Sequence, residues 1–471
     1  MDAAKPGQER RFTLWQELLN SIRGTEADYT RISLKRAILL LAVPMVLELV
    51  MESTFAVVDI FFVGKLGPSA VATVGLTETY LFLLYSVAMG LSTAVTAIVA
   101  RRIGEKDEAA AGTAAAQSIF LALVVSIPFA LAGILFAPGL LRLMGADAWA
   151  VENGFRYTRI MLGGNVFIVL LFVINAIFRG AGNAAIAMRV LWIANGVNII
   201  LDPILIFGWG PIPAFGIEGA AIATTTGRGI GVLVQLAYLF RGGQKVRLVP
   251  AQLRWNAEVA MNVFRTSWGG VGQMLVGMTS WIFLMRILAE VGSAAVAGAT
   301  ITLRIMMFTL MPAWGLSNAA ATLVGQNLGA KQPGRAEATV WKIGLYNTWF
   351  LALVSVAYFF GNRALVGLFT DDAAVIAIGS SWLRILSYSF LVYGWWMVST
   401  QAFNGAGDTR TPTLINLVFF WMIQIPLSWY LAVRLDWEYM GVFWGVFFSE
   451  TSVGLFTLWL FSRGRWKNAK V

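Results

Sequence analysis

Three acidic residues lie on one stripe of the first long apolar segment of the chain. Glu48, Glu52 and Asp59 share this segment. At about 100° per residue, Glu52 lies about 40° and Asp59 about 20° from Glu48 around a helix axis. A charge at the centre of a bilayer costs at least ~2.5–3.5 kcal/mol. The stripe is therefore predicted to face a polar interior and not lipid.

A second group of oxygen-bearing side chains lies further along the chain. Asn198 and Asp202 are one helical turn apart and share a face, and Thr224 supplies a hydroxyl in the next apolar segment. Burial and a neighbouring carboxylate both disfavour a charged carboxyl group. We therefore expect at least one of Asp59 and Asp202 to hold and exchange a proton. The alternative is a sodium ion bound by Asp59, Asp202 and Asn198.

Further acids extend this group into a predicted acidic cavity. Glu48, Glu52 and Glu78 add three carboxylates to the first half of the chain. In a competing interpretation some of these acids are structural and form ion pairs with Arg159 or Arg228. The chain has no histidine and no cysteine, so proton exchange must rest on carboxylates, and disulfides and thiolate metal sites are excluded. No cofactor is expected, and no metal other than the sodium ion.

The elements that position these residues are membrane-spanning helices. The chain is 58% hydrophobic and 13% charged, whereas a soluble protein has about a quarter of its residues charged. Crossing ~30 Å of hydrocarbon takes ~20 apolar residues in a helix. The pattern therefore predicts an all-α integral membrane protein with twelve transmembrane helices. They fall at roughly 36–63, 69–100, 112–137, 153–178, 184–208, 217–240, 256–288, 293–326, 336–360, 373–402, 410–434 and 440–463.

Lysine and arginine are concentrated on one side of this topology. They crowd the N-terminal tail (1–35), the C-terminal tail (464–471) and the connections after the second, sixth and eighth helices. Because basic residues mark the cytoplasmic face, we expect both termini in the cytoplasm and the protein in the cell inner membrane. The net charge of +10 then sets orientation, and no basic folded domain for nucleic acid remains.

The N-terminal tail is polar and lacks the apolar core of a signal peptide. Its residues Phe12, Trp15, Leu18, Leu19 and Ile22 recur at helical spacing. This spacing predicts either a short helix in the membrane interface or a loosely ordered tail, and the pattern does not separate the two.

The sequence repeats itself at an offset of 225 positions. Gly67 meets Gly292, and segments 180–182 and 405–407 both read Gly-Ala-Gly. Six helices in each half give both halves the same orientation, so they form two six-helix lobes related by a parallel pseudo-two-fold repeat. A central cleft between such lobes is the architecture of a carrier. The predicted boundaries are 36–240 for the first lobe, 241–255 for a cytoplasmic linker and 256–463 for the second lobe.

The acids of the first half are not repeated in the second. The positions equivalent to Glu48, Asp59 and Asp202 hold Gln273, Leu284 and Leu427. Ion coupling is therefore assigned to the first lobe alone. In the second lobe, Arg286 is expected to pair with Glu290 at a spacing of one helical turn.

Eight tryptophan and methionine residues of the second half are candidates for lining the central cleft. Aromatic faces attract cations and methionine adapts to many shapes, so these side chains suit flat, apolar or cationic molecules. Ordinary helix packing and interfacial aromatic belts are the competing explanation. The candidates are Met274, Met278, Trp281, Met306, Met307, Trp314, Trp395 and Trp396.

Four segments resemble motifs of the multidrug and toxic compound extrusion (MATE) family, in its prokaryotic branch with membrane acids in the first half. The resemblance covers roughly residues 36–463. It implies a multidrug efflux antiporter that exports drug-like, cationic or amphipathic compounds in exchange for protons or sodium by alternating access. The segments are 57–67 (VVDIFFVGKLG), 198–208 (NIILDPILIFG), 216–224 (GIEGAAIAT) and 311–316 (MPAWGL).

The resemblance also implies site residues. It places Asp59, Asn198 and Asp202 in a cation site of the first lobe, with Tyr157 and Asn175 among the polar neighbours of that site. The glutamates of the predicted acidic cavity are additions to the family pattern.

Two other functions stay open on the sequence alone. A lipid-linked precursor flippase of the same superfamily tends to have extra spans and a strongly basic cavity. A membrane-embedded enzyme would use paired carboxylates, but no nucleophile, metal cluster or phosphate loop accompanies the acids. We therefore expect a monomeric transporter of small molecules and not an enzyme.

Overall fold

Helices and connecting loops make up the part of the protein that the structure describes. The structure is a computed structural model and describes residues 13–25, 27–242 and 245–469. A short helix, α1, precedes twelve long helices, α2–α13. They are α1 (Leu14–Arg23), α2 (Leu34–Gly64), α3 (Pro68–Gly104), α4 (Glu108–Leu143), α5 (Ala150–Ala181), α6 (Ala184–Phe207), α7 (Ile217–Arg241), α8 (Ala257–Val291), α9 (Ser293–Gly329), α10 (Pro333–Gly367), α11 (Ala373–Ala406), α12 (Arg410–Arg434) and α13 (Glu438–Ser462).

The twelve long helices confirm the predicted number, and several are longer than predicted. Helices α3 and α9 have 37 residues each, about 55 Å at 1.5 Å per residue, so their ends extend beyond the hydrocarbon. Eleven helices of the described chain are long and apolar enough to span a membrane. The twelfth, α7, has 25 residues, enough for about 37 Å. It is less apolar because it carries Glu218, Arg228 and three threonines.

The two halves share backbone conformations at equivalent positions. Lys106 and Lys331, which are 225 positions apart, adopt φ values of 62° and 58°, a left-handed conformation that is uncommon outside glycine. Gly182 and Gly407 stand at the same offset and cap α5 and α11 with φ values of 87° and 91°. Equivalent residues therefore turn the chain in the same way.

The first lobe (α2–α7) and the second lobe (α8–α13) touch through reciprocal contacts. A methyl group added at Gly90 would lie 2.3 Å from the backbone nitrogen of Val271, and one added at Gly315 would lie 2.7 Å from the Cα of Val46. Gly315 is the equivalent of Gly90, and Val271 is the equivalent of Val46. This exchange of equivalent partners is expected of two-fold symmetry, so a pseudo-two-fold axis relates the lobes.

Further contacts between the lobes lie toward one face of the molecule. We call this face the basic face, because the connections that carry most of the lysine and arginine residues lie there. Near it, Thr322 donates a hydrogen bond from Oγ1 to the carbonyl of Arg179 at 3.1 Å, and Gln326 donates from Nε2 to the carbonyl of Gly180 at 2.9 Å. Toward the opposite face a cavity of about 420 Å³ lies between the lobes. The lobes are therefore closed at the basic face and separated beyond the middle of the membrane.

Each lobe has its own hydrophobic core, and a third cluster joins the two. The first core gathers residues of α2–α8, the second those of α8–α13. The joining cluster includes Leu41, Leu323 and Phe461 and lies at the basic face. Apolar packing therefore holds the lobes together on that side.

The N-terminal tail forms a helix where it is described. Thr13 and Gln16 make a reciprocal capping box at the start of α1, which satisfies two backbone donors. Glu17 pairs with Arg36 of α2 at 3.2 Å. The tail is thus helical over Leu14–Arg23, whereas Phe12 lies outside the described residues.

Candidate functional site

Asp202 is the most deeply buried acid of the first lobe. It lies on α6 with none of its surface exposed. The amide nitrogen of Asn198, one turn earlier, lies 3.5 Å from Oδ1 of Asp202 and 3.0 Å from Oγ1 of Thr224 on α7. Oδ2 of Asp202 and Oδ1 of Asn198 have no hydrogen-bond partner among the described residues. Two open acceptor oxygens therefore remain. The carboxylate oxygen of Asp202 can take a proton or face a cation, and the amide oxygen of Asn198 can face a cation.

Asp59 of α2 faces this group. It is half-buried and lies within electrostatic range of Asp202, of Glu78 on α3 and of Arg228 on α7. The phenol of Tyr157 on α5 is buried and lies within range of both aspartates. Three of the predicted acids and the predicted tyrosine therefore meet in one place, although they come from four helices.

Arg228 is the cation of this region. It is buried, its guanidinium lies 3.6 Å from a carboxylate oxygen of Glu52, and it stands 5.8 Å from the ring centre of Tyr85. Glu52 also accepts a hydrogen bond of 3.0 Å from Asn195. Glu52 is therefore a neutralised ion-pair partner.

Glu48 forms a separate network closer to the basic face. Arg179 donates to its carboxylate at 2.8 Å and Asn175 donates at 3.2 Å. Gln235 in turn donates to the Asn175 carbonyl at 2.7 Å. Asn175 was expected beside the cation site. It donates to Glu48 instead, because it lies one turn from Arg179 on the same face of α5. Of the two expected arginine partners, Arg228 makes an ion pair. Arg159 is exposed and lies over the ring of Phe155.

Several residues of these networks were missed by sequence reasoning. Arg179 donates to Glu48 and Asn195 donates to Glu52. Tyr85 lies beside Arg228, and Gln235 donates to Asn175. A signal for Arg179 existed, since Asn175 and Arg179 are one turn apart in an apolar helix. Asn195 has the same kind of signal, because it lies one turn before Asn198 in an apolar helix, whereas no such spacing marks Tyr85 and Gln235.

The second lobe has little charge in its interior. Arg286 and Glu290 pair at 3.8 Å and are largely exposed, as predicted. Glu450 on α13, missed from the sequence, is 4% exposed. Its Oε2 has no hydrogen-bond partner among the described residues. Tyr393 lies within electrostatic range of it.

Most of the eight candidate cleft residues pack inside the second lobe. Met307 lines the cavity between the lobes. The hydroxyl of Ser86 in the first lobe donates a hydrogen bond to Sδ of Met278 at 3.4 Å. For the other six, lining of the cleft stays a prediction. Met306 is buried in the core of the second lobe, and Trp281, Trp314 and Trp396 are partly buried against that core. Trp395 packs on Trp341, and Met274 is half-buried on α8.

Comparison with known proteins gives the family of the chain. The MatE family profile matches residues 44–204 and again residues 271–430. The chain is 24% identical to the probable multidrug resistance protein YoeA of Bacillus subtilis, with 93% of this chain and 96% of that protein aligned. It is 25% identical to the probable multidrug resistance protein NorM of Thermotoga maritima, with 93% and 94% aligned.

The three-dimensional fold is also similar to that of a solved transporter. A solved outward-facing structure of a multidrug resistance MATE family transporter superposes with a TM-score of 0.86 and 25% identity, over 94% of this chain and 98% of that one. The two profile matches fall in the two lobes, at nearly the spacing of the internal repeat. The chain therefore belongs to the MatE family and is a multi-pass membrane transporter, not an enzyme.

Proposed function

We propose that the protein exports amphipathic drug-like compounds in exchange for protons, with Asp59 and Asp202 as the coupling acids. One observation carries this proposal: Asp202 is fully buried with an open carboxylate oxygen and faces a second aspartate. Glu48 and Glu52 each have an arginine partner. A buried carboxyl group without such a partner is stable only when it takes up a proton or a cation.

The surroundings of Asp59 favour a proton over sodium. Arg228 lies within electrostatic range of Asp59, and a sodium ion beside it would meet the repulsion of a fixed guanidinium charge. Hard cations also prefer several oxygen ligands, whereas the amide nitrogen of Asn198 is turned toward Asp202 and Thr224. A proton needs no set of several oxygen ligands and no space for an ion, because it binds to a single carboxylate oxygen.

The closure of the lobes at the basic face is consistent with export of the compound and entry of protons. The positive-inside rule places the basic face in the cytoplasm, so the cavity opens away from it. Protons entering from outside would neutralise Asp59 and Asp202 and remove the repulsion between α2 and α6. Helix α2 also borders the cleft through Ser53 and Ala56, so its movement would change the walls that hold a substrate.

The test is transport in proteoliposomes under an imposed proton gradient or, separately, an imposed sodium gradient. We expect the proton gradient to drive efflux of an amphipathic dye, and Asp59→Asn or Asp202→Asn to abolish that response while the protein is still inserted and folded. Full proton-driven efflux by both variants would defeat the assignment. Sodium-driven efflux that is insensitive to the proton gradient would replace the proton by sodium.

A lipid-linked precursor flippase is the second candidate. The first lobe argues against it, because its interior holds five acids and two arginines and is not basic. A strain that lacks its own exporters separates the two functions. Gain of resistance to amphipathic dyes supports efflux, whereas rescue of cell-wall synthesis without such resistance supports the flippase.

A further inference from the structure

Arg304 is an unpaired cation inside the membrane, on the wall of the cavity between the lobes. It lies eleven residues into α9, about 16 Å from the start of that helix. It makes no ion pair and no hydrogen bond to any described residue, and its side chain is exposed to the cavity. Helix α9 contains no aspartate or glutamate, so no partner exists at helical spacing.

Other intramembrane arginines are neutralised or covered. Arg179 and Arg228 pair with glutamates, and Arg384 lies over the ring of Phe359. Glu290, the acid nearest in sequence on the neighbouring helix α8, pairs with Arg286. Because an intramembrane charge is costly without a partner or a cavity, the free guanidinium of Arg304 requires a separate explanation.

The rest of the cavity is apolar and adaptable. One stripe of α9 faces Ser53 and Ala56 of the first lobe across a space of about 420 Å³, with Met285 at its side. Methionine side chains accommodate varied apolar shapes. The stripe consists of Thr300, Leu303, Arg304, Met307, Phe308 and Met311.

We propose that Arg304 binds an anionic group, a carboxylate or phosphate, of an amphipathic substrate whose apolar body lies against Met307 and Met311. The planar guanidinium forms paired hydrogen bonds with such oxyanions. The first-lobe wall contributes Ser53 and Ala56, which carry no charge, and the neighbouring Glu52 is paired with Arg228. Arg304 is therefore the charged group of the cavity lining, and the cleft suits anionic amphiphiles better than simple cations. This inference rests on the proposed efflux function and specifies its substrate class.

Equilibrium binding to the detergent-solubilised full-length protein tests the idea without any ion gradient. The probes are an amphipathic fluorophore with a free carboxylate and its methyl ester, measured by fluorescence polarisation. We expect Arg304→Met to weaken binding of the acid by about tenfold or more and to leave the ester within about twofold. Arg304→Lys, which keeps the charge without the planar fork, should be intermediate.

Matched controls keep the result interpretable. Arg286→Met removes an exposed arginine of the same lobe and should change neither affinity, and the ester reports whether Arg304→Met is folded. An equal loss for both probes in Arg304→Met, or wild-type binding of the ester but not of the acid, overturns the proposal. Because no gradient is applied, a failure of proton coupling in the transport assay leaves this result unaffected.

A lipid phosphate could supply the same chemistry. Titrating phosphatidylglycerol into the micelles distinguishes the sources. Displacement of the acid from the wild-type protein by phosphatidylglycerol, with binding of the ester unchanged, assigns the anion site to a lipid headgroup. Binding of the acid that phosphatidylglycerol does not displace assigns it to the soluble compound.

Discussion

The two lobes have the same helix arrangement but fill it with different chemistry at equivalent positions. In the first lobe, Glu48 and Arg179 form a buried ion pair at 2.8 Å. Their equivalents in the second lobe, Gln273 and Asn404, form an amide pair at 3.0 Å. The two pairs join equivalent positions at similar distances, but only the pair in the first lobe is charged. A pair of this kind therefore holds helices together whether or not it is charged.

The proposed coupling site differs more sharply from its equivalent in the second lobe. Asp59 and Tyr157 correspond to Leu284 and Trp382, which are buried in the second hydrophobic core. Trp382 stacks on Phe443 with 4.7 Å between ring centres. The space that the first lobe keeps polar is thus filled with an aromatic stack in the second. The first lobe thus holds titratable side chains at positions where the second lobe holds a packed apolar core.

The largest effect is expected from removing the carboxyl group of Asp202, which we propose as a coupling acid. Asp202→Asn keeps the size of the side chain but can no longer release a proton. Proton-driven dye efflux from proteoliposomes should fall to the level of empty liposomes, because the buried amide is neutral in every state. Retention of the wild-type response, with expression and thermal stability intact, would remove the basis of the comparison.

The next effect concerns stability and the equivalent polar pairs. Glu48→Gln leaves Arg179 without its counter-charge, and losing one partner of a buried ion pair costs about 3 kcal/mol. The double variant Glu48→Gln/Arg179→Asn recreates the Gln273–Asn404 pair of the second lobe and should recover most of this loss. Thermal unfolding in detergent measures both. A double variant less stable than the single one would show that the two sites are not interchangeable.

No change in proton-driven efflux is expected from removing the buried acid of the second lobe. Glu450→Gln should leave proton-driven efflux at the wild-type rate, because the second lobe has no second acid facing this group as Asp59 faces Asp202 among the described residues. The same transport assay, run beside Asp202→Asn, is the measurement. Loss of coupling in this variant would extend ion coupling to both lobes.

A small but measurable effect is expected at the junction of the lobes on the basic face. Tyr29 precedes α2 and donates to the carbonyl of Gly182 in the first lobe at 2.8 Å, while Arg335 of the second lobe donates to the Tyr29 carbonyl at 3.0 Å. Burial raises the pKa of Tyr29, so its hydroxyl stays protonated and remains a donor. Tyr29→Phe should cost about 1 kcal/mol.

The measurement for Tyr29→Phe is labelling of a single cysteine placed at Thr322, beneath this junction, in a chain that has no cysteine of its own. Faster labelling than in the Tyr29 background is expected, since the closed side loses one hydrogen bond. Trp15→Phe, on the exposed side of α1, is the control and should not change the rate. Equal labelling in all three would show that the hydroxyl does not help to keep the lobes closed.

Much of the fold was predictable because a membrane restricts what a chain can do. Apolar length gave twelve helices, and the offset of 225 positions gave two parallel lobes. The acid stripe of α2 was also predictable, since helical geometry alone places Glu48, Glu52 and Asp59 on one face. The position of Asp202 opposite Asp59 followed from the family resemblance.

The sequence by itself determined that the first lobe has too many acids for lipid and that the second lobe lacks them. Only the tertiary structure decided which acid has an ion-pair partner: Glu48 pairs with Arg179 and Glu52 with Arg228, whereas Asp59 and Asp202 face each other, with Arg228 within electrostatic range of Asp59. It also decided that Trp281, Trp314 and Trp396 pack against the second core and that Arg304 lines the cavity between the lobes. The physical reason is that a helix pattern fixes which residues share a face. Partners on other helices depend on depth and rotation, which are set by packing between helices.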